Sequence, residues 1–191
     1  MRHATIAYYA EADYLKHEQS SPDKHEYVAG EVFAMAGASK RHGTLALNAA
    51  ISLRQHLRGK ACGVWMADMK VRVRVDSAYY YPDVVVTCDQ ADLGADAPKD
   101  FLEAPKLVVE VLSESTEPVD RREKLLSYRR LPCLEEYVLI DQNRPWVEVF
   151  RRTPAGWTQD IYEAGEVARL DSVGLILPMA DLYVDTGIAA G

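Results

Sequence analysis

Two acidic residues stand where the sequence would otherwise bury only apolar side chains. Glu110 interrupts the run Leu107-Val108-Val109-Glu110-Val111-Leu112, and Asp83 follows Pro82 at the head of Val84-Val85-Val86. The first run reads as a central strand covered on both faces. An ionised carboxylate buried there is costly unless a cation or strong donors compensate it. Proline is tolerated at the first residue of a strand, so Pro82-Asp83 reads as a strand start, with Asp83 on the side of Val85 and Thr87. If the two strands are neighbours, Asp83 and Glu110 converge on one face. Carboxylates that close repel, and either one takes up a proton or a divalent cation lies between them. A Pro-Asp turn and a glutamate salt-bridged to an arginine would account for either acid alone. The pair, each beside an apolar run, points to a shared metal. Hard oxygen donors without a His/Cys cluster suit Mg²⁺ or Mn²⁺ rather than zinc.

The elements that must position these acids follow from periodicity and punctuation. Glu11–Glu18 reads as a short helix ended by Ser20-Ser21-Pro22, and residues 25–35 as a hairpin or bent strand turning at Gly30. Ser39 suits the cap of a helix running to Leu57, with Leu45, Ala49, Leu53 and Leu57 as its apolar stripe and Gly59 closing it. Strands are expected over residues 64–75 and 79–87, then at 107–112. Residues 90–104 read as an irregular connection. A basic helix is expected over residues 120–131, stopped before Pro132. A hairpin follows around residues 142–145, then strands at 157–162 and 167–170 and a short helix at 179–183. The pattern predicts a single domain over residues 1–191, α/β or α+β, with a mixed β-sheet core flanked by helices and additional C-terminal strands.

The chain has 191 residues, 48% of them hydrophobic and 27% charged, with 29 acidic against 22 basic side chains and a net charge of −7. That content supports a folded core and excludes wholesale disorder. The acidic excess argues against coating nucleic acid by charge alone, since such domains are usually strongly basic. A nuclease, which needs only a local basic patch, stays open. Cys62, Cys88 and Cys133 lie far apart without a CxxC pair, which predicts reduced thiols in a cytoplasmic protein. Met1-Arg2-His3 opens no signal-like apolar segment, and no run approaches the roughly 18 apolar residues of a membrane span. There is no GxSxG elbow, no Walker loop and no GxGxxG after a strand.

The ordered motifs resemble one branch of the PD-(D/E)XK nuclease superfamily, the Uma family of putative restriction endonucleases. The resemblance is carried by Tyr27-Val28-Ala29-Gly30-Glu31, Met35-Ala36-Gly37-Ala38-Ser39, Arg41-His42, Tyr81-Pro82-Asp83-Val84-Val85-Val86, residues 105–113, Asp120-Arg121 with Lys124, and residues 136–141. It implies a restriction-endonuclease-like core and Mg²⁺-dependent hydrolysis of phosphodiester bonds in DNA, with Mn²⁺ as a substitute. Asp83 and Glu110 match the metal-binding acids. The superfamily places a lysine two residues after the glutamate, where this chain has Leu112. Lys124, on the following helix, matches the position that takes over, and Glu31 matches an early acid that supports the metal. A homodimer would supply the two sites needed to cut both strands.

Other residues carry weaker signals. His42, at a helix start, suits phosphate contact or proton transfer, and equally a capping or packing role. Lys70 suits substrate contact or protection of a strand edge. Arg121, Arg122, Arg129, Arg130, Arg151 and Arg152 suit a phosphate-binding patch or a solvated face. Three rival readings remain, the last a purely structural domain. One is a catalytically inactive nucleic-acid-binding or regulatory protein of the same fold. A second is a metal-free hydrolase using Asp83 and Glu110 as an acid/base pair.

Overall fold

The computed structural model describes residues 4–5, 8–35 and 37–191. The N-terminal reading of Met1–His3 and the motif residue Ala36 lie outside them. The chain begins with β1 (Ala4–Thr5), α1 (Glu11–Glu18), β2 (His25–Val28), β3 (Glu31–Ala34) and α2 (Lys40–His56). Next come β4 (Gly63–Met66), β5 (Lys70–Val73), β6 (Ala78–Tyr80), β7 (Val84–Thr87), α3 (Gln90–Leu93) and β8 (Phe101–Leu102). Strand β9 (Leu107–Leu112) leads through a π-helical turn (Val119–Lys124) into α4 (Leu125–Arg129). The chain ends with β10 (Glu136–Asp141), β11 (Trp146–Thr153), β12 (Gly156–Glu163), β13 (Val167–Leu170), β14 (Leu175–Pro178) and α5 (Met179–Leu182).

Two mixed sheets are built from these strands. One has the order β12-β11-β10-β9-β7-β4, with β9 and β10 parallel and the other pairs antiparallel. The other has the order β1-β3-β2-β6-β5-β8, and β13 pairs only with β14. Helix α2 packs its predicted stripe of Leu45, Ala49, Leu53 and Leu57 onto Val84, Val86, Val109 and Val111. The opposite face of the first sheet presents Val85, Val108 and Leu112 to Val71, Val73 and Tyr80 of the second, with Leu125 and Tyr128 of α4 in the same cluster. Helix α1 covers the far side of the second sheet through Tyr14, against Tyr27 and Tyr79.

Each long strand expected from the sequence is divided between the two sheets. Residues 64–75 break after Met66, where Ala67 takes a φ of 56°, and continue as β5. Residues 79–87 break at Tyr81-Pro82-Asp83, since Pro82 has no N–H to continue a ladder. That break releases Asp83 from regular pairing. The β2–β3 hairpin turns at Ala29-Gly30, both with positive φ (49° and 98°), the twist favoured in a two-residue hairpin loop. A Cβ on Gly30 would lie 2.6 Å from the ring of exposed Tyr8, which would have to shift to admit it. The expected connection over residues 90–104 contains α3 and β8, the latter pairing parallel with β5.

The expectation of reduced thiols is overturned for Cys62 and Cys88, which form a disulfide across 26 residues. Strands β4 and β7 pair with Gly63 opposite Thr87, so one further step in the same register brings the two cysteines together. Cys133 remains a free thiol. Among the described residues no helix is long and apolar enough to cross a membrane.

Candidate active site

The register of the first sheet brings the two expected acids together. Strands β7 and β9 are antiparallel with Val84 opposite Val109, so the next step sets Asp83 opposite Glu110. Glu110 is 3% exposed within a strand buried along its whole length. Asp83 lies at the break before β7, where its Oδ2 accepts the Val111 N–H at 2.7 Å and its Oδ1 lies 2.8 Å from Nε2 of His42.

The π-helical turn supplies the cation. Asp120 and Lys124 lie four residues apart, and both are buried although the segment is otherwise rich in exposed charge. π-Helical turns of this kind concentrate at functional sites. Nζ of Lys124 lies 2.9 Å from Glu26 Oε1, 3.1 Å from Glu110 Oε1 and 3.1 Å from Asp120 Oδ1. Glu26 also accepts the N–H of Tyr81 at 3.3 Å, which ties β2 to the segment carrying Asp83. Lys124 thus reaches Glu110 from the segment that follows β9.

The electrostatics follow from burial and crowding. Burial pushes the Glu110 carboxyl well above its ordinary range; Lys124 opposes this, while Asp120, Asp83 and Glu26 reinforce it. Burial likewise raises Asp120, against the pull of Lys124 and a hydrogen bond from Thr116. Burial works against the charge of Lys124, and Glu110, Glu26 and Asp120 outweigh it, so the ammonium is held well above its ordinary value. Burial would lower His42, but its hydrogen bond to Asp83 and that residue's charge raise it.

Of the residues singled out in the sequence, the structure brings Asp83, Glu110 and Lys124 together. Glu31 is not drawn into it: it opens β3 opposite Val28, exposed, and no contact joins it to the cluster among the described residues. Glu26, five residues earlier, is the early acid the structure brings to Lys124. Its signal was available, because Glu26 shares the alternation face of Val28, which packs on the inter-sheet core. Asp120 could be found from its i,i+4 spacing to Lys124.

Lys70 is neither an edge residue nor part of this cluster. Strand β5 lies between β6 and β8, and Nζ of Lys70 is buried, 3.3 Å from the Tyr81 hydroxyl. The arginines are largely committed inside the fold. Arg121 pairs with Glu117 and Glu148, Arg130 with Asp76, and Arg151 with Glu136 and Asp160. Arg152 donates to the carbonyl oxygens of Leu134, Arg129 and Leu131. Tyr79, Tyr80 and Tyr81 are buried and offer no stacking surface.

Carboxylate oxygens are the donor type that a hard divalent cation takes. Three carboxylates (Glu26, Glu110 and Asp120) surround one ammonium, Asp83 stands opposite Glu110, and Oδ1 of buried Asp120 has no hydrogen-bond partner beyond its ion pair. Among the described residues no three such side chains already stand in a coordinating arrangement. Lys124 fills the space among three of the acids, and Asp83 is engaged by His42 and Val111.

Comparison with known proteins places this site in context. The sequence profile of a family described as Uma2, putative restriction endonuclease, matches residues 11–180. An uncharacterized protein of Synechocystis sp. (strain ATCC 27184 / PCC 6803 / Kazusa), slr1290, is 34% identical over 172 residues, covering 90% of this chain and 89% of its own. A second from the same organism, sll1609, is 33% identical over 139 residues, covering 73% and 78%. The crystal structure of a putative nuclease belonging to DUF820 from Anabaena variabilis ATCC 29413 superposes with a TM-score of 0.74 at 16% identity, over 92% of this chain and 97% of that one. The fold is therefore shared with that protein.

Proposed function

The chain belongs to the Uma2 family of putative restriction endonucleases, and from that membership we propose that it is a Mg²⁺-dependent endonuclease hydrolysing phosphodiester bonds in DNA, with Mn²⁺ as an alternative ion. The observation that carries this reading is the buried convergence of Glu26, Glu110 and Asp120 on Lys124, with Asp83 opposite Glu110. Asp83 and Glu110 would hold the cation. A bound divalent cation lowers the pKa of water and stabilises charge on a phosphate. Lys124 orients the attacking water or a phosphate oxygen, and its ammonium offsets the charge that develops there. Glu26 and Asp120 keep that ammonium charged and aimed. Two copies of the chain would cut both strands of a duplex.

One observation favours the second reading, a binding or regulatory protein of the same fold without catalysis: both oxygens of Asp83 are already engaged. Nicking of supercoiled plasmid at low salt separates the two. Metal-dependent nicking, absent in EDTA and lost in both Asp83→Ala and Lys124→Ala, is the expected result. Wild type behaving like Asp83→Ala would leave the binding reading. Cutting that survives EDTA would instead favour the metal-free acid/base reading.

A further inference from the structure

We propose that His42 is the positioning residue of this site, fixing the Asp83 carboxylate in the orientation that a divalent cation requires. The inference rests on the metal-dependent reading above. Asp83 lies outside the strand ladder, so its backbone alone does not fix the plane of its carboxylate. Two donors do: the N–H of Val111 at Oδ2 and Nε2 of His42 at Oδ1. A carboxylate offers about four acceptor sites, so one hydrogen bond per oxygen leaves each oxygen a lone pair for a cation.

Both donors take their reference from β9. Val111 belongs to that strand, next to Glu110. The His42 N–H donates to Ser39 Oγ at 3.1 Å, Ser39 Oγ donates to Gln142 Oε1 at 2.7 Å, and Gln142 Nε2 donates to the Leu112 carbonyl at 2.9 Å. The first turn of α2 is thereby tied to the end of the strand that carries Glu110. The two acids of the proposed metal pair share one frame, although they lie 27 residues apart in sequence.

Among the described residues the His42 ring has no other hydrogen-bond partner. Its side chain is 13% exposed, and Nδ1 is buried without a partner. A polar ring is costly to bury unless its hydrogen bonds are made, and the contact to Asp83 is the one this ring makes among the described residues. A ring serving only to pack would be replaced by an apolar side chain without effect on the metal.

The test is Mn²⁺ binding, followed by electron paramagnetic resonance of the free ion, in wild type, His42→Leu, His42→Gln and Asp83→Ala. Leucine keeps bulk at the half-buried position without a donor, and glutamine restores an N–H. Loss of a hydrogen bond that orients a metal ligand lowers affinity about 10–100-fold. The expected result is that loss in His42→Leu with most of the affinity recovered in His42→Gln. If His42→Leu fails to fold, the comparison rests on His42→Gln against wild type, with affinity within a few-fold expected and a collapse to the Asp83→Ala level overturning the proposal. Asp83→Ala losing Mn²⁺ while His42→Leu binds like wild type, or more tightly, overturns the role of His42 and leaves the metal reading intact. Wild type binding no better than Asp83→Ala overturns both.

Discussion

Oε1 of Glu26 lies 2.9 Å from Nζ of Lys124, joining β2 of one sheet to the crossover that follows β9 of the other. Exposed Glu31, on the neighbouring strand, makes no comparable contact among the described residues. Glu26→Gln is therefore expected to lower metal-dependent nicking by about 10²-fold, as removal of a preorganised charged group does, whereas Glu31→Gln stays within about twofold. Plasmid nicking by the two variants side by side decides between the acids. Equal loss in both would restore Glu31 to the site.

Why Glu31 rather than Glu26 is suggested by the sequence has a physical reason. Glu110 and Asp83 are legible because each breaks or heads a run of valines and leucines, and the antiparallel register between those runs is the simplest pairing. Glu26 lies in a short strand next to His25, and its alternation with Val28, over only two positions, is too weak a signal to single it out. Its burial comes from a second sheet whose existence depends on breaks at Ala67 and Pro82 within what reads as continuous strand. The spans of α1 and α2, the hairpins and the cap at Ser39 are local and readable, whereas the π-helical turn inside the expected helix over residues 120–131 and α3 inside the expected connection are not. The division into two sheets and the bond between Cys62 and Cys88 are long-range, and spacing alone does not carry them.

Lys124 is the cation that makes three buried carboxylates tolerable in this structure. Removing one partner of a buried ionic cluster typically costs roughly 3–5 kcal/mol. Lys124→Met is expected to lose about that much at neutral pH, with the deficit shrinking as pH falls and the carboxylates protonate. Added Mn²⁺ should stabilise the variant more than it stabilises wild type, since the ion then meets acids with no ammonium among them. Urea denaturation with and without Mn²⁺ measures both effects, and an equal Mn²⁺ response in the two proteins contradicts the shared-cation arrangement.

The raised affinity of Glu110 for its proton has a consequence for metal loading. Burial favours the neutral acid, and a cation binding the carboxylate competes with that proton. Metal affinity should therefore rise with pH through the acid-to-neutral range, with protons released on binding. Calorimetry in buffers of different ionisation enthalpy measures that release, and buffer-independent heats would count against it.

The thiols give a check on the β4–β7 edge. Burial pushes the Cys133 thiol up to about 11, so the native protein should react slowly with a thiol reagent. One thiol should appear on denaturation and three after reduction. A disulfide closing a loop of this length contributes roughly 3 kcal/mol in the chain-entropy picture. The doubly substituted Cys62→Ser, Cys88→Ser protein should lose about that much stability in a denaturant titration, and three reactive thiols without reductant would remove the cross-link from the structure.

Lys70 places a buried ammonium beside the Tyr81 hydroxyl, with no carboxylate in salt-bridge contact among the described residues. Burial lowers its proton affinity in the folded state, only partly offset by Glu18 and Asp100. The unfolded chain, with an ordinary lysine value of about 10.4, then binds this proton more tightly than the native protein. Its contribution to stability is unfavourable while pH is below the folded value and fades as pH rises through the folded value toward the unfolded one. Lys70→Met, which keeps the stem and removes the charge, should therefore stabilise the protein at neutral pH. Its advantage over wild type should narrow as the solution is made alkaline. Denaturation midpoints for the pair across that range test the sign directly, because the tyrosines they share cancel in the difference. A variant less stable than wild type at neutral pH would mean that the contact between Lys70 and the Tyr81 ring, at 5.1 Å from the centroid, outweighs the cost of burying the charge.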